Sequence, residues 1–218
     1  MSAEPRAEPG EGGISRTVST PSNTLVLFPH LHDHDQSVCL DLLTVVEPDD
    51  ENVLAVSLDE SAAVKSQRWS EHVGTPPREL VVVERTPSDS AASVGVTPDR
   101  ESETALRPTV RSVPEDGDLA SLAETISERL AEWGASDAQT VFCFQSLTPL
   151  LEQHDLRHVF RFLHLLLRRL ESIDAVAHFH LDPDATDEQA LYTLLSLFDT
   201  VVERDECGSI RVVDDTPE

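Results

Sequence analysis

The sequence predicts an α/β protein whose central, mostly parallel sheet is covered by helices on both faces. Short, continuous apolar runs such as Thr24–Phe28 and Asn52–Leu58 are typical of strands that are buried on both sides. Segments with helical periodicity alternate with these runs, and parallel strands need such crossover connections. A last pair of short runs around Cys207 and Gly208 predicts an antiparallel hairpin at one edge of the sheet.

The first half of the chain follows this alternation between two stretches of different composition. Residues 1–22 are rich in Gly, Pro, Ser, Glu and Thr, and we expect a disordered acidic tail because they have little apolar area to bury. Helices are predicted over Ser37–Val46 and about residues 61–73, and Glu79–Val83 is a third strand. Residues 85–108 have many Pro, Ser, Asp and Glu residues without periodicity, and we expect a flexible insertion loop.

The second half completes one domain that spans residues 23–213, and residues 214–218 are expected to be a disordered tail. Asp118 is a suitable N-cap for a helix that stops at Gly134, and Asp155 is a suitable N-cap for a helix to Ile173. A further helix is predicted over Thr186–Phe198. Strands are predicted at Thr109–Val113, Gln139–Phe144, Ala175–Leu181, Thr200–Glu203 and Ser209–Val213.

The charge balance restricts the partners and the cellular setting. The net charge of −25 comes from 41 acidic and 16 basic residues, and Lys65 is the only lysine. An acidic, lysine-poor chain is suited to a cytoplasm of high salt, so the composition resembles that of haloarchaeal proteins, although an ordinary acidic protein is the alternative. Nucleic acids and anionic membranes attract clustered cations, and therefore we expect neither as a partner.

The cysteines and the apolar runs agree with a cytoplasmic location. Cys39, Cys143 and Cys207 are odd in number, and the first two lie in apolar surroundings typical of small buried side chains. No stretch approaches the ~20 apolar residues that a transmembrane helix requires. We therefore expect a cytoplasmic protein with reduced thiols.

Several segments in this order resemble the RecA-like ATPases of the KaiC type, and in particular a degenerate haloarchaeal branch of them. NVLAVSLDES (52–61) is similar to their second strand, which ends in an acidic pair. TVFCFQSLTPLL (140–151) is similar to their Walker B strand and the turn after it. Residues 159–172 and 177–189 are similar to the helix, strand and Asp-Pro turn that follow. The resemblance implies a three-layer RecA-like P-loop fold.

The chain departs from this family at the phosphate loop. The strand, turn and helix of residues 23–43 have the right order, but the turn lacks the glycines and the lysine that hold phosphate. Pro29, His30, Asp33 and Asp35 stand there instead. Ser37 is the one relic of the Ser/Thr that coordinates magnesium in the family.

The metal side of the same cleft departs as well. Gln145 occupies the end of the Walker B strand, where the family has an aspartate, and a neutral amide cannot replace that charge beside Mg²⁺. Asp59 and Glu60 match the acidic pair; they either position a water or form a solvated strand end. The sequence thus predicts a pseudo-ATPase without catalytic residues or cofactor that acts as an interaction or regulatory module. A residual nucleotide- or metal-binding protein is the alternative.

Histidines offer a separate hypothesis of metal binding. In an extended segment His30, His32 and His34 would point to one side, as ligands of Zn²⁺ or Ni²⁺ do, whereas solvated loop histidines are the simpler interpretation. His178 and His180 are two residues apart on one predicted strand and would share a face.

Basic residues of the helix after Asp155 offer an interface. Arg157, Arg161, His164 and Arg168 follow helical spacing and would form one stripe. The stripe either pairs with the chain's own carboxylates or binds an acidic protein partner of unknown identity or a second copy in a homo-oligomer. Phe162 is expected to be exposed beside such an interface.

Overall fold

Eight strands form one sheet in the computed structural model, which describes residues 22–29, 39–58, 60–86, 107–114, 117–204 and 210–213. The strands are β1 (Ser22–Leu27), β2 (Glu51–Ser57), β3 (Glu79–Thr86), β4 (Thr109–Pro114), β5 (Gln139–Phe144), β6 (Val176–Leu181), β7 (Thr200–Arg204) and β8 (Ile210–Val213). Their order across the sheet is β4-β3-β2-β5-β6-β1-β7-β8. Neighbouring strands are parallel except for the edge pair β7 and β8, so the mostly parallel sheet and its antiparallel edge hairpin are confirmed.

Helices connect the strands and lie on both faces of the sheet. The helices are α1 (Ala62–His72), α2 (Leu119–Trp133), α3 (Thr148–Gln153), α4 (Leu156–Glu171) and α5 (Glu188–Leu195). Residues 39–43 are also helical, and Pro48–Asp50 forms a short 3₁₀ turn. The predicted fold class, α/β with helices on both faces, agrees with this arrangement.

The alternation of side chains along each strand divides the core into two layers. One layer contains Phe142, Phe144 and Phe179 together with apolar residues of α2, α3, α4 and α5. The other contains Cys143 and Val82 together with helical residues 39–43 and α1. Successive side chains of a strand point to opposite faces, so β5 contributes to both layers.

The helix ends follow their capping residues in part. The Asp118 side chain accepts a hydrogen bond from the Ser121 N–H at 2.8 Å and so caps α2, which ends before Gly134, as predicted. Asp155 takes the N-cap position of α4 without a side-chain cap hydrogen bond, and α4 ends at Glu171 instead of Ile173. The prediction that Phe162 is exposed is wrong, because its ring packs edge-on against Phe144 at 6.3 Å in the core.

Other predicted bounds are corrected by specific contacts. The helix expected over Ser37–Val46 ends at Leu43, since the N–H groups of Val45 and Val46 are held by the Glu51 carboxylate. The expected insertion 85–108 begins later, because Arg85 and Thr86 pair with β4. Helix α3 was not predicted. The expected disordered tails and residues 87–106 of the insertion lie outside the described residues.

Helices of the described part of the chain are too short or too polar to cross a membrane.

Candidate functional site

The positions of the predicted degenerate phosphate site fall into two groups, those outside and those within the described residues. His30, Asp33, Asp35 and Ser37, the neighbouring His32 and His34, and Asp59 lie outside the residues that the structure describes. Pro29 is exposed just after β1. Glu60 and Gln145 follow the carboxyl ends of β2 and β5, which are adjacent parallel strands, and the structure brings these two side chains together.

Gln145 lies at the centre of a buried hydrogen-bond network. Its side chain is 5% exposed, and its Nε2 donates to Glu60 Oε2 at 2.7 Å. Its Oε1 accepts a hydrogen bond from the Ser57 hydroxyl at 2.8 Å, and its backbone N–H donates to the Val56 carbonyl. A buried amide needs hydrogen-bond partners for both its oxygen and its nitrogen, and Gln145 has both. It therefore links the ends of β2 and β5.

Glu60 is also held by two cations of helix α1. Arg68 donates a short hydrogen bond to Glu60 Oε1, and Lys65 Nζ lies 3.9 Å from Oε2. Burial alone raises the pKa of the Glu60 carboxyl, but the hydrogen bonds from Gln145 and Arg68 and the charge of Lys65 outweigh it, so the pKa lies below its usual value. Both carboxylate oxygens are therefore engaged within the chain, and the group stays anionic.

Helix α1 is fixed so that these two cations reach the strand ends. The Ala62 N–H at its start donates to Glu84 Oε2 of β3 at 2.7 Å, in place of a cap by Ser61. Trp69 is 2% exposed, and its indole N–H donates to the Thr75 carbonyl at 2.8 Å. No role for Lys65 or Arg68 was predicted from the sequence. The two cations are three residues apart and follow the pair Asp59-Glu60, and this spacing on a helix is the signal for an ion pair with the acidic residues.

A second cluster lies in the core layer beneath helical residues 39–43. It consists of Cys39, Cys143 of β5, and His178 and His180 of β6, which are at most 3% exposed. Cys143 and His178 are register partners on adjacent strands, and His180 follows on the same face. The prediction that the two histidines share a face is confirmed, and their rings lie 5.1 Å apart.

The sulfur and nitrogen atoms of this Cys/His cluster converge on one point. Cys39 Sγ lies 3.4 Å from Cys143 Sγ and 3.4 Å from His178 Nε2. One ligand atom from each of the four residues lies within 4.8 Å of the others. Donors from four separate chain positions therefore surround a common centre.

The pKa values of the groups in the cluster are shifted in different directions. A hydrogen bond from Cys143 holds the pKa of the Cys39 thiol well below its usual value, and the nearby charge of Lys65 acts in the same direction. Burial raises the pKa of Cys143. Burial also lowers the pKa of His178 and so favours the neutral imidazole.

Several buried polar atoms of the histidines have no hydrogen-bond partner in the described part of the chain. These atoms are Nδ1 of His178 and both ring nitrogens of His180. An unsatisfied buried polar group costs ~1–3 kcal/mol. A neutral imidazole with a free nitrogen is also the form in which histidine binds a metal.

The arginine stripe is exposed as predicted. Arg157, Arg161, His164 and Arg168 all point to solvent on α4, and Leu165 between them is 60% exposed. Arg168 lies 3.5 Å from Glu171, whereas Arg157 and Arg161 form no ion pair with the residues that the structure describes. Among the described residues, the alternative that the stripe is neutralised by the chain's own carboxylates therefore applies to Arg168 alone.

A depression of about 420 Å³ lies away from both clusters, between the ends of α3, α4 and α5. Glu152, Asp155 and Asp187 are among its lining residues. Three carboxylates at its wall disfavour a phosphate-bearing ligand.

Comparison with known proteins gives a family and a fold. The model of the family described as "Family of unknown function (DUF7504)" matches residues 21–204. No curated protein matches the chain. A solved structure from Pyrococcus horikoshii, named in its title as a structural study under a project number, is similar with a TM-score of 0.53 and 10% identity. The similarity covers 88% of this chain and 86% of that one, and it concerns the fold alone.

Proposed function

The chain belongs to this family of unknown function, and we propose that it is a non-catalytic, RecA/KaiC-like pseudo-ATPase that acts by binding a protein partner in the cytoplasm of a salt-loving archaeon. The proposal includes the three-layer RecA-like fold, to which the mostly parallel sheet with helices on both faces is suited.

The engagement of Glu60 is the observation that carries the proposal. A carboxylate that positions a water for attack on phosphate needs a free oxygen directed at that water. Here one oxygen accepts from Gln145 and the other from Arg68. In addition, Gln145 stands where the resemblance implies a metal-holding aspartate, and its amide is directed at Glu60 instead of at a metal. Glu60 and Gln145 are thus held by contacts within the chain.

The cations of the chain support the same conclusion. Phosphate binding in P-loop proteins depends on a lysine beside the outer phosphates. Lys65 is the only lysine in the sequence, and it lies on α1 beside Glu60, far along the chain from the turn after β1. The sequence therefore has no lysine in the turn after β1 that could bind phosphate.

The surface of α4 supports the partner-binding half of the proposal. Arg157 and Arg161 are exposed without ion pairs among the described residues, and Leu165 adds an exposed apolar side chain between the basic ones. Arginine is enriched and lysine depleted in protein interfaces, and an apolar centre with a charged surround is typical of them. The chemistry of the stripe fits an acidic surface of a protein partner.

Thermal melting in molar KCl tests the pseudo-ATPase proposal. A ligand at 100 times its dissociation constant stabilises a protein by about 2.7 kcal/mol, which is readily seen as a rise in the melting temperature. We expect no rise with millimolar Mg-ATP, Mg-ADP or Mg²⁺ alone, and an active KaiC-type ATPase in the same buffer serves as the positive control. A rise that saturates with Mg-ATP but not with Mg²⁺ would contradict the proposal and favour residual nucleotide binding.

A further inference from the structure

We propose that Cys39, Cys143, His178 and His180 bind one zinc ion in a closed, tetrahedral, structural site that joins the helix after β1 to the centre of the sheet. This inference goes beyond the pseudo-ATPase proposal and does not depend on it, because none of the four residues belongs to the Glu60 network.

The distances agree with a zinc site. Zn–S bonds of about 2.3 Å and Zn–N bonds of about 2.0–2.1 Å in a tetrahedron place two sulfurs about 3.8 Å apart, and sulfur and nitrogen about 3.5 Å apart. The observed separations are 3.4 Å between the two sulfurs and 3.4 Å between Cys39 Sγ and His178 Nε2. These two separations differ from the ideal values by only a few tenths of an ångström, and all four donors lie within 4.8 Å of one another, which leaves room for an ion.

The donor set selects the metal. Two thiolates and two imidazoles are the ligands of structural Zn²⁺, whereas Mg²⁺ and Ca²⁺ prefer oxygen donors. Two thiolates also balance the charge of the ion, so the occupied site is neutral, as a fully buried site must be to avoid a large desolvation cost. On binding, the Cys143 thiol and any remaining Cys39 thiol release their protons to solvent.

The unpartnered nitrogens give a second, independent observation. Both ring nitrogens of His180 are buried without a hydrogen-bond partner among the described residues. Two adjacent imidazoles inside an apolar layer are costly when they only fill space, since valine or leucine would pack there without polar atoms. A zinc ion gives His180 a bond that the protein itself does not supply.

Burial of all four donors makes the site structural. A catalytic zinc keeps one position open for water or substrate, whereas four protein ligands close the coordination sphere. Cys39 belongs to the helical residues after the degenerate phosphate loop, and the other three ligands belong to β5 and β6. Zinc would thus fasten this helix to the sheet.

Metal content and cobalt spectroscopy of the full chain test the proposal directly. We expect about one zinc per chain after purification without a His tag, under reducing conditions and in molar KCl. After removal of the zinc with a chelator, Co²⁺ should produce a thiolate-to-cobalt charge-transfer band and the intense d–d bands of tetrahedral coordination, and one equivalent of Zn²⁺ should abolish both. Protein without zinc that also gives no such spectrum would overturn the proposal.

Variants assign the metal to these residues. Cys39→Ser and His180→Gln should remove the charge-transfer intensity in part or the ion altogether, whereas Cys207→Ser and His158→Gln, which spare all four ligands, should leave it unchanged. A combined change of His30, His32 and His34 to Gln separates the loop histidines from the cluster. An ion that is lost with the loop histidines and kept in the cluster variants would overturn the assignment.

Two further measurements remain decisive where a cluster variant does not fold. In the wild type, chelation should lower the melting temperature, and Zn²⁺ should restore it, because binding to the folded state alone is stabilising. The intact mass of Cys207→Ser under non-reducing conditions reveals a Cys39–Cys143 disulfide, which lacks two hydrogens and cannot supply two thiolates. A disulfide in the freshly purified protein, with no metal, would contradict the proposal.

Discussion

The Gln145 amide donates a hydrogen bond to the Glu60 carboxylate at 2.7 Å and thereby joins two residues 85 positions apart. Because the Ser57 hydroxyl in turn donates to the Gln145 oxygen, β2 and β5 are linked at their carboxyl ends by side chains as well as by backbone. Parallel α/β sheets usually place ligand-binding groups at this edge. Here the groups at the edge bind one another.

Gln145→Leu should lower the free energy of unfolding by about 1–3 kcal/mol, because it leaves the Ser57 hydroxyl and one Glu60 oxygen buried without the amide. Gln189→Leu is the matched control: Gln189 is exposed on α5, and surface substitutions usually change stability by less than about 0.5 kcal/mol. Urea unfolding in high KCl measures both. Equal stability of Gln145→Leu and the wild type would show that the network contributes nothing to the fold.

The sequence predicted the fold better than the sites, for a physical reason. Strands such as β2 and β5 are continuous apolar runs, and α2 has a capping aspartate and a terminal glycine, so local pattern is sufficient for them. Helix α3 is short and lacks a side-chain cap hydrogen bond, and the proline in its first turn is the one local signal of its start. Phe162 was predicted to be exposed because it lies outside the narrow stripe of apolar residues at helical spacing. The buried face of α4 is wider than that stripe and includes Phe162.

The candidate sites depend on contacts between distant segments. Cys39 and Cys143 are 104 positions apart, and neither has the close Cys or His spacing by which a metal site is recognised in sequence. The common face of His178 and His180 followed from strand alternation, but their distance to the cysteines depends on β5 lying beside β6. The Glu60 network likewise cannot be predicted from local sequence, because it depends on Arg68 of α1 lying beside the end of β2.

Arg68→Gln should raise the pKa of Glu60, because the carboxyl remains partly buried while one strong donor and a charge are lost. In the wild type the folded pKa lies below the ordinary 4.5, so the stability contributed by Glu60 is complete above pH 4.5 and is lost as the pH falls through the lower folded value. The variant, whose folded pKa lies closer to 4.5, should therefore be less stable than the wild type at neutral pH and should lose less stability as the pH falls below 4.5.

Carbon-detected NMR titration of the Glu60 carboxyl, with urea unfolding across the same pH range, measures this effect. Arg78→Gln is the control, since Arg78 forms an exposed pair with Asp137 at 2.9 Å and does not contact Glu60. An unchanged Glu60 titration in Arg68→Gln would contradict the ion pair.

Glu51→Gln and Glu51→Leu should have opposite effects. The Glu51 side chain is fully buried, its Oε1 accepts from the N–H groups of Val45 and Val46 at 2.5 and 2.7 Å, and burial raises its pKa. A raised pKa means that the stability present with the protonated carboxyl is lost as the pH rises through the folded value. Glutamine keeps the acceptor without the charge and should be at least as stable as the wild type at neutral pH.

Leucine removes the acceptor of the Val45 and Val46 N–H groups and should cost about 1–3 kcal/mol of unfolding free energy at pH 7. Unfolding in urea at several pH values compares the three proteins. The advantage of Glu51→Gln over the wild type should grow as the pH rises from 4 toward 7. A glutamine variant that is as unstable as the leucine variant would show that the charge itself is required.

Arg161→Glu should weaken any self-association through α4, and Arg168→Glu should add to the effect. Arg161 is exposed without an ion pair among the described residues, so reversing its charge breaks no contact within that part of the chain and leaves folding intact. A broken charge pair across an interface costs roughly 1.4 kcal/mol or more, which is about tenfold in the dissociation constant.

Light scattering across a dilution series measures the mass, and Arg78→Glu, which reverses a charge elsewhere on the surface, is the control. A wild type that is monomeric at all concentrations, or oligomers that tolerate both α4 variants, would exclude self-association through the stripe. Without self-association, the proposed partner of the stripe is a different protein with an acidic surface.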